Sequence, residues 1–164
     1  FTQESLKHHI SLVSQRIYIF QDSLAANVAY GQVIDEQKVK EALELADASS
    51  FVATLENGIH TQMEEFGANL SGGQRQSIAL ARTFISEPEI LLLDEPTASM
   101  DLNTETMFTQ KISEATHGKT IIVATHRLPI VNAVDRVIVL SDGKVVLDEP
   151  RESALKKLIQ QPTN

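Results

Sequence analysis

Ile90-Leu91-Leu92-Leu93 is an unbroken apolar run, closed at once by Asp94-Glu95-Pro96. It is far shorter than the ~20 residues a bilayer crossing needs, and it lacks the polar alternation of a half-wet strand. The run therefore predicts a strand covered on both faces in a parallel sheet. Thr120–Ala124 repeats the pattern and ends in Thr125-His126. Between the two runs a helix is expected, with Asp101 as its N-cap, Phe108, Ile112 and Ala115 inward, and Gly118 as its stop. Strand and helix in this alternation predict an α/β fold. In open sheets of that class, ligands sit beyond the carboxyl ends of the strands. Gln15, Asp94, Glu95 and His126 are all expected at those ends.

The remaining segments read in the same way. Residues 9–14 suit a short strand and 24–28 a short helix broken by Gly31. Asp35 caps a helix with Val39, Ala42, Leu43 and Ala46 on one stripe. A further helix is expected over 48–55, stopped by Asn57-Gly58, and 61–69 is an irregular loop. Residues 23–86 thus form a largely helical block between strands. After the second strand come a short helix at Pro129–Ala133 and a hairpin turned by Asp142-Gly143. A terminal helix then carries Ala154, Leu155, Leu158 and Ile159 inward.

Leu70-Ser71-Gly72-Gly73-Gln74 opens the last helix of the helical block. Ser71 and Gln74 have the spacing of a capping box. Gly72 and Gly73 lack Cβ atoms, so an outside group can approach the first-turn N–H groups, and those donors with the helix dipole make a phosphate site. A capped amphipathic helix with flexible glycines, its buried stripe being Ile78, Ala81 and Ile85, is the plainer alternative. Asp94 and Glu95 suit a divalent metal on a phosphate, one carboxylate holding the ion and the other orienting a water; exposed strand-end acids are the alternative. His126 at a neighbouring strand end can hydrogen-bond a γ-phosphate or simply face solvent.

The formal net charge of -8 argues against a general nucleic-acid binder. Cys is absent, so there is neither a disulfide frame nor a thiolate metal site. No signal peptide is visible in Phe1-Thr2-Gln3-Glu4, and no apolar run has transmembrane length. A phosphate-binding G-x-x-x-x-G-K-[ST] loop is also missing. Gly118-Lys119-Thr120 has Ser113 where the first glycine belongs, and it follows a helix and precedes a strand, the reverse of the required order.

Taken in order, Gln15, L-S-G-G-Q at 70–74, I-L-L-L-D-E-P at 90–96, A-S-M-D at 98–101 and A-T-H-R-L at 124–128 resemble the nucleotide-binding domain of ABC (ATP-binding cassette) transporters. The resemblance implies a P-loop NTPase-like (RecA-like) parallel sheet core with an inserted α-helical subdomain. The helical subdomain would be 23–86, the α/β core 1–22 and 87–150, and the C-terminal helix 151–164, with the N-terminal P-loop portion absent. It implies ATP and Mg²⁺ as cofactors. Gln15 is similar to the Q-loop glutamine, which senses the metal and the transmembrane partner. Ser71, Gly72, Gly73 and Gln74 resemble the signature that binds the γ-phosphate of ATP held by the opposite subunit. Asp94 is similar to the metal-binding Walker B aspartate, Glu95 to the general base, Asp101 to the D-loop aspartate and His126 to the switch histidine.

L-V-S-Q followed by I-F-Q-D-S-L-A-A-N-V-A-Y-G resembles exporters that carry membrane and ATPase parts in one polypeptide. The loop 61–67, with Glu65 in its acidic position, resembles the segment that contacts the transmembrane domain, and the N-terminal third most resembles bacterial lipid A flippases. Glu64 stands where Gly is usual, Ser77 replaces a common Arg, and P-T-A-S-M-D replaces A-T-S-A-L-D. The resemblance implies an ATPase driving export of a lipid-like or other substrate at the cytoplasmic face of a bacterial inner membrane. Its partners would be a second copy bound head to tail and an upstream transmembrane domain, with no nucleic acid. The alternatives are a type I protein or peptide secretion ATPase and a non-transport ABC ATPase acting on nucleic acid. By itself this chain, lacking the P-loop, is expected to be inactive.

Overall fold

The computed structural model describes residues 2, 6, 9–98 and 100–160. Phe1, Gln3 and Glu4 of the polar start, Ser99 of the A-S-M-D run and residues 161–164 of the terminal segment lie outside the described residues.

The apolar runs become a three-stranded parallel sheet. β1 (Ile10–Val13) and β3 (Thr120–Ala124) flank β2 (Ile90–Asp94), with Val13 beside Leu93 and Asp94 beside Ala124. Parallel neighbours need long crossovers. One crossover is helix α5 (Leu102–Ala115). The other, from β1 to β2, contains α1 (Leu24–Ala29), α2 (Glu36–Leu45), α3 (Ser49–Ala53) and α4 (Gly72–Phe84), with 3₁₀ turns at Gly58–His60 and Glu65–Gly67. A separate antiparallel hairpin follows, β4 (Arg136–Ser141) and β5 (Lys144–Pro150), and then α6 (Arg151–Gln160). Asp142 and Gly143 both have positive φ, 51° and 73°, as a two-residue turn matched to strand twist demands.

Local chemistry sets the helix starts. Asp35 accepts from the N–H groups of Gln37 and Lys38, and Asp101 from that of Thr104. In the buried core, Val39, Ala42 and Leu43 of α2 and its C-cap Ala46 share one cluster with Ile78 and Ala81 of α4 and Leu91 and Leu93 of β2.

Four expectations change. Among the described residues, only one face of the sheet is covered: Leu91 and Leu93 are buried, whereas in the opposite row Leu12 is 63% exposed and Ile122 57% exposed. An apolar run reports that both faces suit burial, not that this chain itself supplies both layers. The helix expected over 48–55 is shorter, Ser49–Ala53: Ala48 offers no capping side chain at its start, and Thr54 closes its end by bonding back to the Phe51 carbonyl through both N–H and hydroxyl. Ile85 is the C-cap of α4 and is only partly buried. In α6, Ala154 is buried but Ile159, at 74% exposure, faces out.

Candidate functional site

The carboxyl ends of all three parallel strands point the same way. Gln15 follows β1, Asp94 ends β2 and Glu95 comes next, and Thr125 and His126 follow β3. The sheet register carries the backbone from Asp94 beside Ala124 to Glu95, whose N–H donates to the Ala124 carbonyl at 2.8 Å. That placement brings the Glu95 and His126 side chains together, with His126 Nδ1 2.7 Å from Glu95 Oε1. The Thr125 hydroxyl donates to Glu95 Oε2 at 3.2 Å. Desolvation pushes the Glu95 carboxyl up, but the hydrogen bonds from His126 and Thr125 more than offset it and hold the group below the ordinary carboxylate range. Glu95 also has φ +46°, in the left-handed region, where a side chain adds strain. His126 is exposed, so the pair opens to solvent on one side.

Asp94 is exposed, and its side chain has no hydrogen bond or ion pair among the described residues. Gln15 is exposed in the bend after β1. The fold therefore leaves an unengaged carboxylate and an amide at adjoining strand ends. These are oxygen donors of the type a hard divalent cation takes together with water and phosphate oxygens.

The second half of the site is the mouth of α4. Ser71 Oγ accepts from the Gln74 N–H at 3.1 Å, and Gln74 Oε1 accepts from the Ser71 N–H at 2.8 Å, which completes the expected capping box. A Cβ placed on Gly73 would meet nothing nearer than Ser71 Oγ at 3.9 Å. The chain's own packing therefore does not demand that glycine. Gly67 is different: its φ is +63°, and a Cβ there would come within 3.0 Å of Ile19. Arg75 Nη1 donates to the Leu70 carbonyl at 2.6 Å and to the Gly67 carbonyl at 3.3 Å, pinning the loop that delivers the mouth. The mouth opens on a cleft of about 410 Å³ lined also by Asp47, Met100, Asp101 and Phe108. Backbone and side-chain hydrogen bonds from Thr104 hold Asp101 below the ordinary range. Thus Ser71, Gly72, Gly73, Gln74 and Asp101 share one cleft, while Glu95 and His126 form a separate cluster.

A family model described as ABC transporter matches residues 1–98. The chain belongs to the ABC transporter family. Among relatives, the ATP-dependent lipid A-core flippase of Bordetella avium is 44% identical over 144 residues, 87% of this chain and 24% of the relative. The flippase of Francisella novicida is 37% identical over 158 residues, 95% of this chain and 27% of the relative. Among solved structures, a bacterial Atm1-family ABC exporter with ATP bound superimposes with a TM-score of 0.86 at 32% identity, covering 95% of this chain and 28% of that one. The chain spans about a quarter of the length of the relatives it matches. Family, α/β fold and exporter-type likeness accord with the motifs in the sequence.

Three buried or half-buried polar groups of this ABC domain were missed by sequence reasoning. Asn27 is fully buried, and Arg82 on α4 donates to its carbonyl and to its Oδ1. Glu105 is fully buried against Thr97 and Arg127. Glu105 carried a readable signal, since it lies three residues before Phe108 on the inward stripe of α5. Nothing in the local pattern singled out Asn27.

Proposed function

We propose that this chain is part of the ATP-binding and hydrolysing domain of an exporter that moves a lipid-like substrate across a bacterial inner membrane from its cytoplasmic side. The observation that carries the reading is the Glu95 carboxylate, ionised at neutral pH and gripped by His126 and Thr125 at the carboxyl end of the parallel sheet. An ionised carboxylate there can orient a water and take its proton as the water attacks a γ-phosphate. His126 Nδ1 faces Glu95, which leaves its other ring nitrogen to reach a phosphate oxygen. Asp94 and Gln15 are the residues that would hold Mg²⁺, which when bound neutralises charge on the phosphates.

The capped mouth of α4 would close on the γ-phosphate of ATP held by a second copy packed head to tail. Asp101 would reach across the same junction. The clearance above Gly73 supports this reading, because the glycine is not explained by contacts within the chain. Membrane segments in the same polypeptide would be the further partner. An exposed ridge of Tyr18, Phe20, Tyr30 and Phe66 supports that role, with ring centroids 4.8, 5.0 and 5.6 Å apart. Beneath it, Arg82 lies 5.5 Å from the Phe20 ring and 5.3 Å from the Tyr30 ring. Arg82 belongs to α4, so the ridge rests on the same helix whose first turn forms the phosphate mouth. The 61–67 loop is laced to the ridge segment by hydrogen bonds from Met63 to Asp22 and from Phe66 to Ile19. The lipid-like substrate follows the flippase relatives.

The test is Glu95→Gln in the complete exporter carrying this domain. ATP binding is expected to persist and turnover to fall by at least a hundredfold. Turnover near wild type would discard Glu95 as the base.

A further inference from the structure

Among the described residues, Glu105 is the only buried side chain with a formal charge. Its partner is Arg127, whose Nη2 lies 2.7 Å from Glu105 Oε2 as an ion pair rather than an aligned hydrogen bond. The Thr97 hydroxyl donates to the other carboxylate oxygen at 2.7 Å. Arg127 Nη1 donates to the Thr97 carbonyl at 2.7 Å and to the Met100 carbonyl at 3.2 Å. These carbonyls bracket the turn that joins Glu95 to Asp101, itself closed by Met100 N–H on the Thr97 carbonyl. The backbone N–H of Arg127 donates to Thr125 Oγ1, the hydroxyl that donates to Glu95. One residue therefore braces the strand-end acid from the β3 side through its main chain and the loop beyond that acid through its side chain.

We propose that Arg127, held in place by buried Glu105, is a positioning residue that fixes the Thr97 and Met100 carbonyls relative to Glu95 and so sets the catalytic carboxylate and Asp101 as one unit. This rests on the function proposed above. The need for such a brace is visible in the backbone. The turn begins at Glu95 in the left-handed region, a conformation that persists only when surrounding contacts impose it. A guanidinium is suited to the task because its planar fork places one nitrogen on the carboxylate and another on the two carbonyls, a span that the single nitrogen of an ammonium does not reproduce. Arg127 touches no reacting atom, so its effect is expected on the rate of the chemical step and not on nucleotide affinity.

The experiment uses the complete exporter carrying this domain. Arg127→Ala alone would strand a buried carboxylate and is a poor probe. The double variant Arg127→Met with Glu105→Gln removes both charges together and is expected to fold, because a neutral pair of similar volume replaces a buried ion pair. Its kcat should fall at least tenfold, with the KM for ATP within about twofold of wild type. Amide exchange at Thr97, Ala98, Met100 and Asp101 should quicken, while that over 71–75 stays unchanged. Should the double variant misfold, Arg127→Lys decides, since it keeps the ion pair but not both carbonyl bonds; a severalfold loss of kcat is expected. Turnover within twofold of wild type in a folded variant, or lost turnover with unchanged exchange at those turn amides, would overturn the proposal. The exchange readout needs no turnover. An exporter that never hydrolyses ATP would therefore sink the proposed function and still leave the brace decided.

Discussion

Asn27 shows how much one buried polar side chain can organise. Its Oδ1 accepts from the Phe20 N–H at 2.9 Å and from Arg82 Nη2 at 2.7 Å, and its Nδ2 donates to the carbonyls of Phe20, Asp22 and Ser23. Removing it strands several of these groups away from water, and each such loss costs about 1–3 kcal/mol. Asn27→Ala is therefore expected to destabilise the domain by about 3 kcal/mol in denaturant unfolding, with the ridge residues Tyr18 and Phe20 losing order first. Asp148 gives the pH prediction. A hydrogen-bonded pair with Arg136, at 2.6 Å on both contacts, holds its carboxyl below the ordinary range, as neighbouring hydrogen bonds hold Glu95 and Asp101. A depressed carboxylate stabilises the fold above its unfolded pKa, and that contribution is lost as pH falls through the folded one. Stability should be flat near neutrality and decline below about pH 4, with a shallower decline in Asp148→Asn. Unfolding midpoints measured from pH 7 to pH 2 check both statements.

Among the elements, α4 was the most legible in the sequence, because Ser71, Gln74 and the spacing of Ile78 and Ala81 each report local physics. The same holds for the hairpin, where Asp142-Gly143 can adopt the two positive φ values that the turn needs. What escaped reading depends on partners distant in sequence. Arg82 is an ordinary helix residue until it meets Tyr18 and Asn27, 64 and 55 positions away. Pairing of Glu95 with His126 was expected only as a shared end of the sheet, and the 2.7 Å contact follows from strand register. The two glycines near the mouth yield opposite predictions for one substitution. Gly73→Ala fits the open space and a helical backbone, so stability should hold or rise by up to about 1 kcal/mol. ATP turnover in the complete exporter should nevertheless fall at least tenfold, since the methyl occupies the approach to the mouth. Gly67→Ala should instead lower stability by about 2 kcal/mol, through its left-handed φ and the 3.0 Å approach to Ile19. Thermal melts beside ATPase assays separate the two effects. A destabilised Gly73→Ala variant would remove the case that the mouth is kept clear for a ligand.

At the scale of the whole molecule, the sheet is half finished. β1 and β3 are its edges among the described residues, and the row Leu12–Leu92–Ile122 runs in register across its uncovered face. Leu140, Val145 and Val146 on the hairpin are exposed as well. An unpaired strand edge beside apolar surface is a template for another chain, and the outer strand β3 carries no charge and no proline along Thr120–Ala124. The apolar runs in the sequence specified strands fit for two-sided burial, and only the structure reveals that, among the described residues, one side lacks its layer. Made as the 164-residue chain, the protein should therefore self-associate through this face and edge. Solution scattering across a concentration series should give a mass above the monomer's 18.1 kDa that rises with concentration. Ile122→Lys with Leu12→Lys places charge on the bare row while leaving buried Leu91 and Leu93 untouched, so it should shift the population towards monomer without loss of helical signal. A wild-type chain that stays strictly monomeric would mean that the open face is covered in solution by residues of the same chain, and the uncovered layer would not be a property of the folded molecule.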